Sequence, residues 1–72
     1  MLNPDKPWIV VQYHLDLEMV VNLVFFETPQ EGAKWITFLV GEVGKEFLDG
    51  NETRVKFIHN DGSTRTIELR PR

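Results

Sequence analysis

Two histidines, one serine and a pair of acidic residues are the side chains with which this chain could do chemistry. His14 and His59 could ligate a metal, but a zinc site needs three or four converging ligands and the two do not form an i, i+4 pair. Ser63 could act as a nucleophile only beside a base and an orienting group. Asp16 and Glu18 could share acid–base work only if burial tuned one of them. The sequence therefore predicts no enzyme, no metal and no cofactor.

Other functional motifs are missing as well. The five glycines have neither the dinucleotide-binding nor the P-loop spacing, and the absence of cysteine excludes disulfides and thiolate metal sites. Polar residues interrupt the stretch 8–26, whereas a membrane span needs about 20 mostly apolar residues. Met1–Pro7 contains charges and two prolines, unlike a signal peptide. We expect a cytoplasmic protein that does not enter a membrane.

Charge is divided unevenly along the chain. Residues 1–53 carry three basic and nine acidic groups, a formal charge of -6, and residues 54–72 carry five basic and two acidic groups, a charge of +3. The total is the formal net charge of -3. A partner at close range meets one end or the other, so the two ends are expected to attract different partners.

The elements that would position these groups begin with two strands between residues 8 and 26. Odd positions there are apolar or aromatic throughout, and polar residues fall only on even positions, apart from a break at 16–18. A three-residue loop at 16–18 would pair Tyr13 with Val21, Val11 with Leu23 and Ile9 with Phe25. A helix from Leu17 to Phe26, capped by Asp16, is the alternative.

The helix that follows has a clear predicted start. Thr28 as N-cap, Pro29 at the first helical position and Glu31 at the third form a capping box. Apolar residues then recur at helical spacing: Ile36, Leu39, Val40, Val43 and Phe47. Gly50 is the natural stop, so the predicted helix extends to Asp49.

A hairpin is predicted at the C-terminal end, with a three-residue loop at 60–62 and Gly62 in a left-handed conformation. This loop would pair Val55 with Ile67 and Phe57 with Arg65. The predicted fold class is α+β with ββαββ order: one four-stranded antiparallel sheet with one helix packed on one face, in a single domain of residues 1–72.

The predicted interaction surface depends on which sheet face the helix covers. The odd face of the first hairpin is the more apolar, so we expect the helix there and the even face exposed as an interface. Phe38 is predicted to point away from the helix core. The predicted partner-binding residues are Trp8, Val10, Gln12, His14, Val24, Phe26, Trp35 and Phe38.

These features favour a small acidic protein-binding module that blocks or modulates a larger protein partner. A chain of this length buries a small fraction of its surface, which favours support from a second copy in a homodimer. Small acidic ββαββ proteins occur among phage-encoded inhibitors, and this fold-level analogy suggests a counter-defence inhibitor of the anti-CRISPR kind.

The alternative function is nucleic-acid binding by the basic C-terminal hairpin. Its candidate residues are Arg54, Lys56, Arg65 and Arg70. Against it are the overall acidity and the lack of an RNA-binding signature. If these basic residues have only a structural role, they form a solvated sheet edge or face the acidic end of a dimer mate.

Overall fold

A computed structural model describes residues 6–72, which form one helix and a five-stranded antiparallel sheet. The elements are β1 (Trp8–His14), β2 (Met19–Phe26), α1 (Pro29–Val43), β3 (Gly44–Gly50), β4 (Arg54–His59) and β5 (Thr64–Pro71). The strands lie in the order β2-β1-β5-β4-β3. The predicted α+β class is confirmed, but the described order is ββαβββ. The first five residues of the predicted domain lie outside the described residues.

The first hairpin forms as two strands, and the alternative helix at residues 17–26 is wrong. Two predicted pairs are present, Ile9–Phe25 and Val11–Leu23. Tyr13 pairs with Val20 instead of Val21, because a bulge lies between Gln12 and Tyr13. The loop lacks glycine, and Glu18 takes the left-handed conformation with φ 54°. Four residues, 15–18, therefore separate the strands, and the register shifts at the bulge.

The helix starts where the sequence predicts. Thr28 is extended (φ -129°, ψ 154°), and its hydroxyl accepts a hydrogen bond from the Glu31 N–H at 3.2 Å. The Glu31 carboxylate accepts one from the Thr28 N–H, also at 3.2 Å, which completes the capping box. These bonds satisfy amides that the first helical turn leaves without partners.

The predicted end of the helix is wrong. The helix ends at Val43 with Gly44 as its cap, and residues 44–50 form edge strand β3, paired with β4. Gly41 and Gly44 would each cost a longer helix about 1 kcal/mol relative to alanine. The open edge of β4 offers hydrogen-bond partners to the backbone of residues 44–50. A strand therefore forms there in place of the predicted last turns of the helix.

The C-terminal hairpin forms as predicted. Val55 pairs with Ile67 and Phe57 with Arg65, and Gly62 has φ 91°. The His59 N–H donates to the Ser63 carbonyl at 2.8 Å across the loop. The turn residue therefore sets the register that aligns the apolar residues of β4 and β5.

The helix covers the even face of β1, so the predicted choice of face is wrong. The core contains Val10, Ile36, Val55, Phe57, Ile67 and Leu69. Gly32 marks the close approach of helix and sheet: a Cβ there would overlap the Leu69 side chain and lie 3.3 Å from Val10 Cγ2. Substitution of this glycine would force a shift in the core.

The pairing of β1 with β5 explains the choice of face. It places Val10 beside Leu69, and on the opposite face it places Ile9 beside Arg70 and Val11 beside Glu68. The odd face is the more apolar within the first hairpin alone, but β5 and β4 add charged residues to it. Because the helix must bury the face that is apolar across the whole sheet, it packs on the other side.

Candidate interaction surface

Most of the predicted partner-binding residues lie on the sheet face that α1 covers. Val10 is 2% exposed and Gln12 is 5% exposed. The others on this face are half-buried: Trp8, His14, Val24 and Phe26. Trp8 and Phe26 pack against the core instead of forming an open patch. The structure does bring these residues together, but beneath the helix.

Trp35 and Phe38 extend the core onto the helix surface. The Trp35 ring centroid lies 6.3 Å from that of Phe26 and 5.7 Å from that of Phe38. Phe38 is 56% exposed, so its predicted outward position is confirmed. The buried Trp35 Nε1 has no hydrogen-bond partner within residues 6–72. These aromatic residues form a row from edge strand β2 to the exposed side of α1.

The helix-free face of β1 and β2 carries the apolar surface that remains. We call it the β1–β2 patch; its members are Ile9, Val11, Tyr13, Val20, Leu23 and Phe25, which the strand pairing places on one face. Tyr13, Val20 and Leu23 are each 41–43% exposed. Val11 is buried at the centre of the patch. Such a contiguous apolar surface is typical of an interaction site.

The patch continues to the outer edge of the sheet. The first five residues of β2 are all exposed, and the strand contains no charged residue. Leu15, Leu17, Met19 and Val21 are exposed as well, at the turn and along this edge. An exposed apolar edge strand is a ready site for pairing with another chain.

The other half of the helix-free face is charged. Arg54, Lys56, Glu68 and Arg70 lie there, and Glu68 is 3.9 Å from both Arg54 and Arg70. An open hollow of about 480 Å³ adjoins them, lined by Asp49, Gly50, Asn51, Arg54, Lys56 and Thr66. Three of the four predicted nucleic-acid-binding residues therefore share this surface, with a carboxylate between two of them.

Arg65 lies on the other face, and its interpretation as a solvated edge residue is wrong. Its side chain is 15% exposed. The guanidinium donates to the side-chain carbonyl oxygen of Gln12 and to a carboxylate oxygen of Asp61, both at 2.8 Å. It also donates to the Ser63 hydroxyl at 3.1 Å. The arginine therefore connects the β4–β5 loop to the buried amide of β1.

Asp61 completes this network and is held in its charged form. Its Oδ1 accepts hydrogen bonds from the Ser63 hydroxyl and from the Ser63 N–H. These bonds, with smaller contributions from His59 and Arg65, hold the pKa of Asp61 well below its ordinary value. The loop therefore keeps a carboxylate beside Arg65 over the whole neutral range.

Three of the side chains singled out for catalysis or metal binding accept hydrogen bonds from backbone amides at or beside turns. His14 Nδ1 accepts the Leu17 N–H at 3.2 Å, and His59 Nδ1 accepts the Asp61 N–H at 3.1 Å. Asp16 accepts the Thr64 N–H at 3.1 Å. Within residues 6–72 no group of three or more His, Cys, Asp and Glu side chains could hold a metal ion. The same residues contain no helix long and apolar enough to cross a membrane.

The β1–β2 patch is the surface that the sequence reasoning missed. The signal was the alternation in β5, where charged Glu68 and Arg70 flank Leu69. Using it required knowing that β5 pairs with β1.

Comparisons with protein families, with characterised proteins and with solved structures find no match to this chain.

Proposed function

We propose that this protein is a binding module that occupies a surface of a larger protein through the β1–β2 patch. The observation that carries the proposal is the exposed apolar surface on the sheet face opposite α1, continuous with the uncharged edge strand β2. Solvent contact with this much apolar surface is unfavourable, and its burial by a partner gains about 25 cal/mol per Å².

Charge at the turn end of the β1–β2 patch favours a basic surface on the partner. The turn beside the patch carries Asp16 and Glu18, and residues 1–53 have a formal charge of -6. Complementary charge raises association rates and suppresses wrong partners, while the apolar contact supplies most of the affinity. The nucleic-acid channel of another protein is one such basic surface.

The mode of action is inhibition or modulation by occupancy. A small domain with one large contact surface can block a channel or an active site without chemistry of its own. A phage-encoded counter-defence inhibitor of the anti-CRISPR kind is the subclass that we propose, on the fold-level analogy alone.

The test is capture of partners from nuclease-treated lysate of the native cell. We expect the unmodified protein to recover a specific protein and Tyr13→Glu to lose it, because Tyr13 is 42% exposed within the patch. Phe47→Glu is the matched control, since Phe47 is 60% exposed but lies in β3 at the far edge. Equal capture by both variants, or recovery that nuclease abolishes, would contradict the proposal.

A further inference from the structure

We infer that a second copy of this chain pairs with the β2 edge, antiparallel to it, to build one continuous ten-stranded sheet across a two-fold axis. This inference deepens the proposed binding function, because the β2 edge borders the β1–β2 patch. It names the partner at that edge and the geometry of the contact.

Backbone hydrogen bonds show which groups of β2 point outward. The Leu15 N–H donates to the Thr64 carbonyl and the Arg72 N–H to the Pro7 carbonyl. Odd residues along β1 therefore turn their backbone groups toward β5, and even residues turn theirs toward β2.

Beyond the bulge, the partners of these even residues on β2 are Asn22, Val24 and Phe26, and His14 pairs with Met19 before it. The backbone groups of Leu23 and Phe25 must then point away from the sheet. The Leu23 N–H donates to the side-chain oxygen Oδ1 of the preceding residue, Asn22, at 2.8 Å. This is a local bond that a second strand can replace. The edge thus presents a ladder ready for pairing.

The opposite edge of the sheet is protected. β3 has two register shifts, between Gly44 and Glu46 and between Phe47 and Asp49. It also contains three charged side chains, Lys45, Glu46 and Asp49. Bulges and charges are the usual devices that block edge-to-edge pairing, and the stretch 22–26 of β2 has neither. A second copy is therefore expected at β2 and not at β3.

Symmetry limits the register to two choices. An antiparallel pair with its axis perpendicular to the sheet keeps both helices on one side and pairs residues of equal parity. Val21 is the extra residue of the bulge, so regular pairing is limited to residues 22–26, and overlap of this stretch with its copy places either Leu23 or Val24 on the axis. Up to five residues then pair in each strand, over about 17 Å.

The estimated interface has the size of a weak, reversible contact. A strand edge of this length, with its side chains, buries on the order of 400 Å² per copy, or about 800 Å² in total, which lies at the low end of protein–protein interfaces. Met19, Val20, Val21 and Leu23 supply the apolar part, each 40–49% exposed. Reversible pairing at high protein concentration is therefore expected, and not a permanent dimer.

Charge at the two ends of β2 supports the antiparallel direction. The turn at one end carries Glu18, whose neighbour Asp16 accepts the Thr64 N–H, while at the other end the Arg72 guanidinium donates to the Lys6 carbonyl at 3.2 Å and lies 5.4 Å from the centroid of the Phe25 ring. Antiparallel pairing brings the acidic turn of one copy toward Arg72 of the other. Glu27 lies at the same end and offsets part of this attraction.

Light scattering from about 10 μM to 1 mM tests the pairing. We expect the mass to approach twice 8.4 kDa for the unmodified protein and to stay at one chain for Val21→Lys. Phe47→Lys, the same change at the protected edge, should leave the dimer intact. An unmodified protein that is monomeric at 1 mM, or a dimer lost only in Phe47→Lys, would overturn the inference.

A cross-linking experiment tests the register without relying on the stability of a variant. The chain has no cysteine, so Leu23→Cys and Val24→Cys each introduce one thiol. A residue on the axis meets its own copy at a Cα distance within the disulfide range of about 4.4–6.8 Å. Rapid oxidation at 23 or 24, and not in Phe47→Cys, supports β2 pairing. Oxidation only at 47, or at none of the three positions, contradicts it.

The two proposals fail separately. If Val21→Lys is monomeric and still captures the protein partner, self-pairing and partner binding are distinct, and both are supported. If the unmodified protein dimerises at β2 and captures no protein, the pairing stands and the proposed function falls.

Discussion

At the scale of single residues, the β4–β5 loop shows how polar side chains position an element. Asp61 accepts two hydrogen bonds from Ser63 and lies 2.8 Å from Arg65, whose guanidinium also contacts the buried amide of Gln12. A buried amide without a partner would be costly, so the arginine satisfies Gln12 while Asp61 orients the arginine. The sequence alone suggests that Arg65 is a free basic group on the surface, because its partner Gln12 lies 53 positions away.

Asp61→Asn should lower stability at neutral pH and remove part of its pH dependence. The pKa of Asp61 is lowered in the folded state, so its contribution is complete above the unfolded pKa of about 3.9 and is lost as the pH falls below that value. Urea unfolding at about pH 7 and about pH 3 should show the difference between variant and parent shrink at the lower pH. Exposed Glu42→Gln is the control, and a difference that does not change with pH would contradict this role.

At the scale of elements, the start of α1 follows from local signals and its end does not. The capping box acts within four residues, and it forms as the spacing requires. The end of the helix depends on competition between a last helical stretch weakened by two glycines and the free edge of β4. The strand wins because pairing with β4 satisfies the backbone without those glycine costs.

Thr28→Ala tests the local signal. The substitution removes the acceptor for the Glu31 N–H and should lower the free energy of unfolding by about 0.5–2 kcal/mol. Thr28→Ser keeps the hydroxyl and should retain most of the stability. The urea midpoint at constant slope is the measurement, and equal midpoints for the alanine variant and the parent would show that the cap contributes nothing.

At the scale of the whole molecule, the sheet separates apolar and charged surface. Its helix-free face is apolar on β1 and β2 and charged on β5 and β4, where Glu68 lies between Arg54 and Arg70. The basic charge of the C-terminal hairpin is therefore smaller at the surface than in the sequence, because Arg65 faces the Gln12 side and Glu68 offsets its neighbours.

We predict only weak binding to short DNA or RNA. Each phosphate neutralised would contribute about 0.7–0.9 to the slope of log affinity against log salt, and we expect a slope below 2. Fluorescence anisotropy at several salt concentrations measures it, with Arg54→Glu/Arg70→Glu as the matched variant. Tight, salt-sensitive binding that this variant abolishes would establish nucleic-acid binding as the function.

Much of the local structure was predictable because its causes lie within a few residues. Alternation predicts β1 and β2, Thr28 with Glu31 predicts the helix start, and Gly62 predicts the register of β4 with β5. The four-residue turn after β1 was less predictable, since a loop without glycine can place Glu18 in the left-handed conformation at moderate cost.

The sequence by itself determined β1, β2, β4, β5 and the start of the helix, with their alternating apolar faces, since these arise from backbone geometry and neighbouring side chains. Tertiary structure alone decided that residues 44–50 pair with β4 instead of extending the helix, and which face the helix covers. Pairing of β1 with β5 places Ile9 and Val11 beside Arg70 and Glu68. The continuous apolar core therefore lies on the other face, which carries the even residues of β1 and the odd residues of β4 and β5. The helix gains more from burying that continuous face, and the apolar residues of the odd face remain outside as the candidate interaction surface.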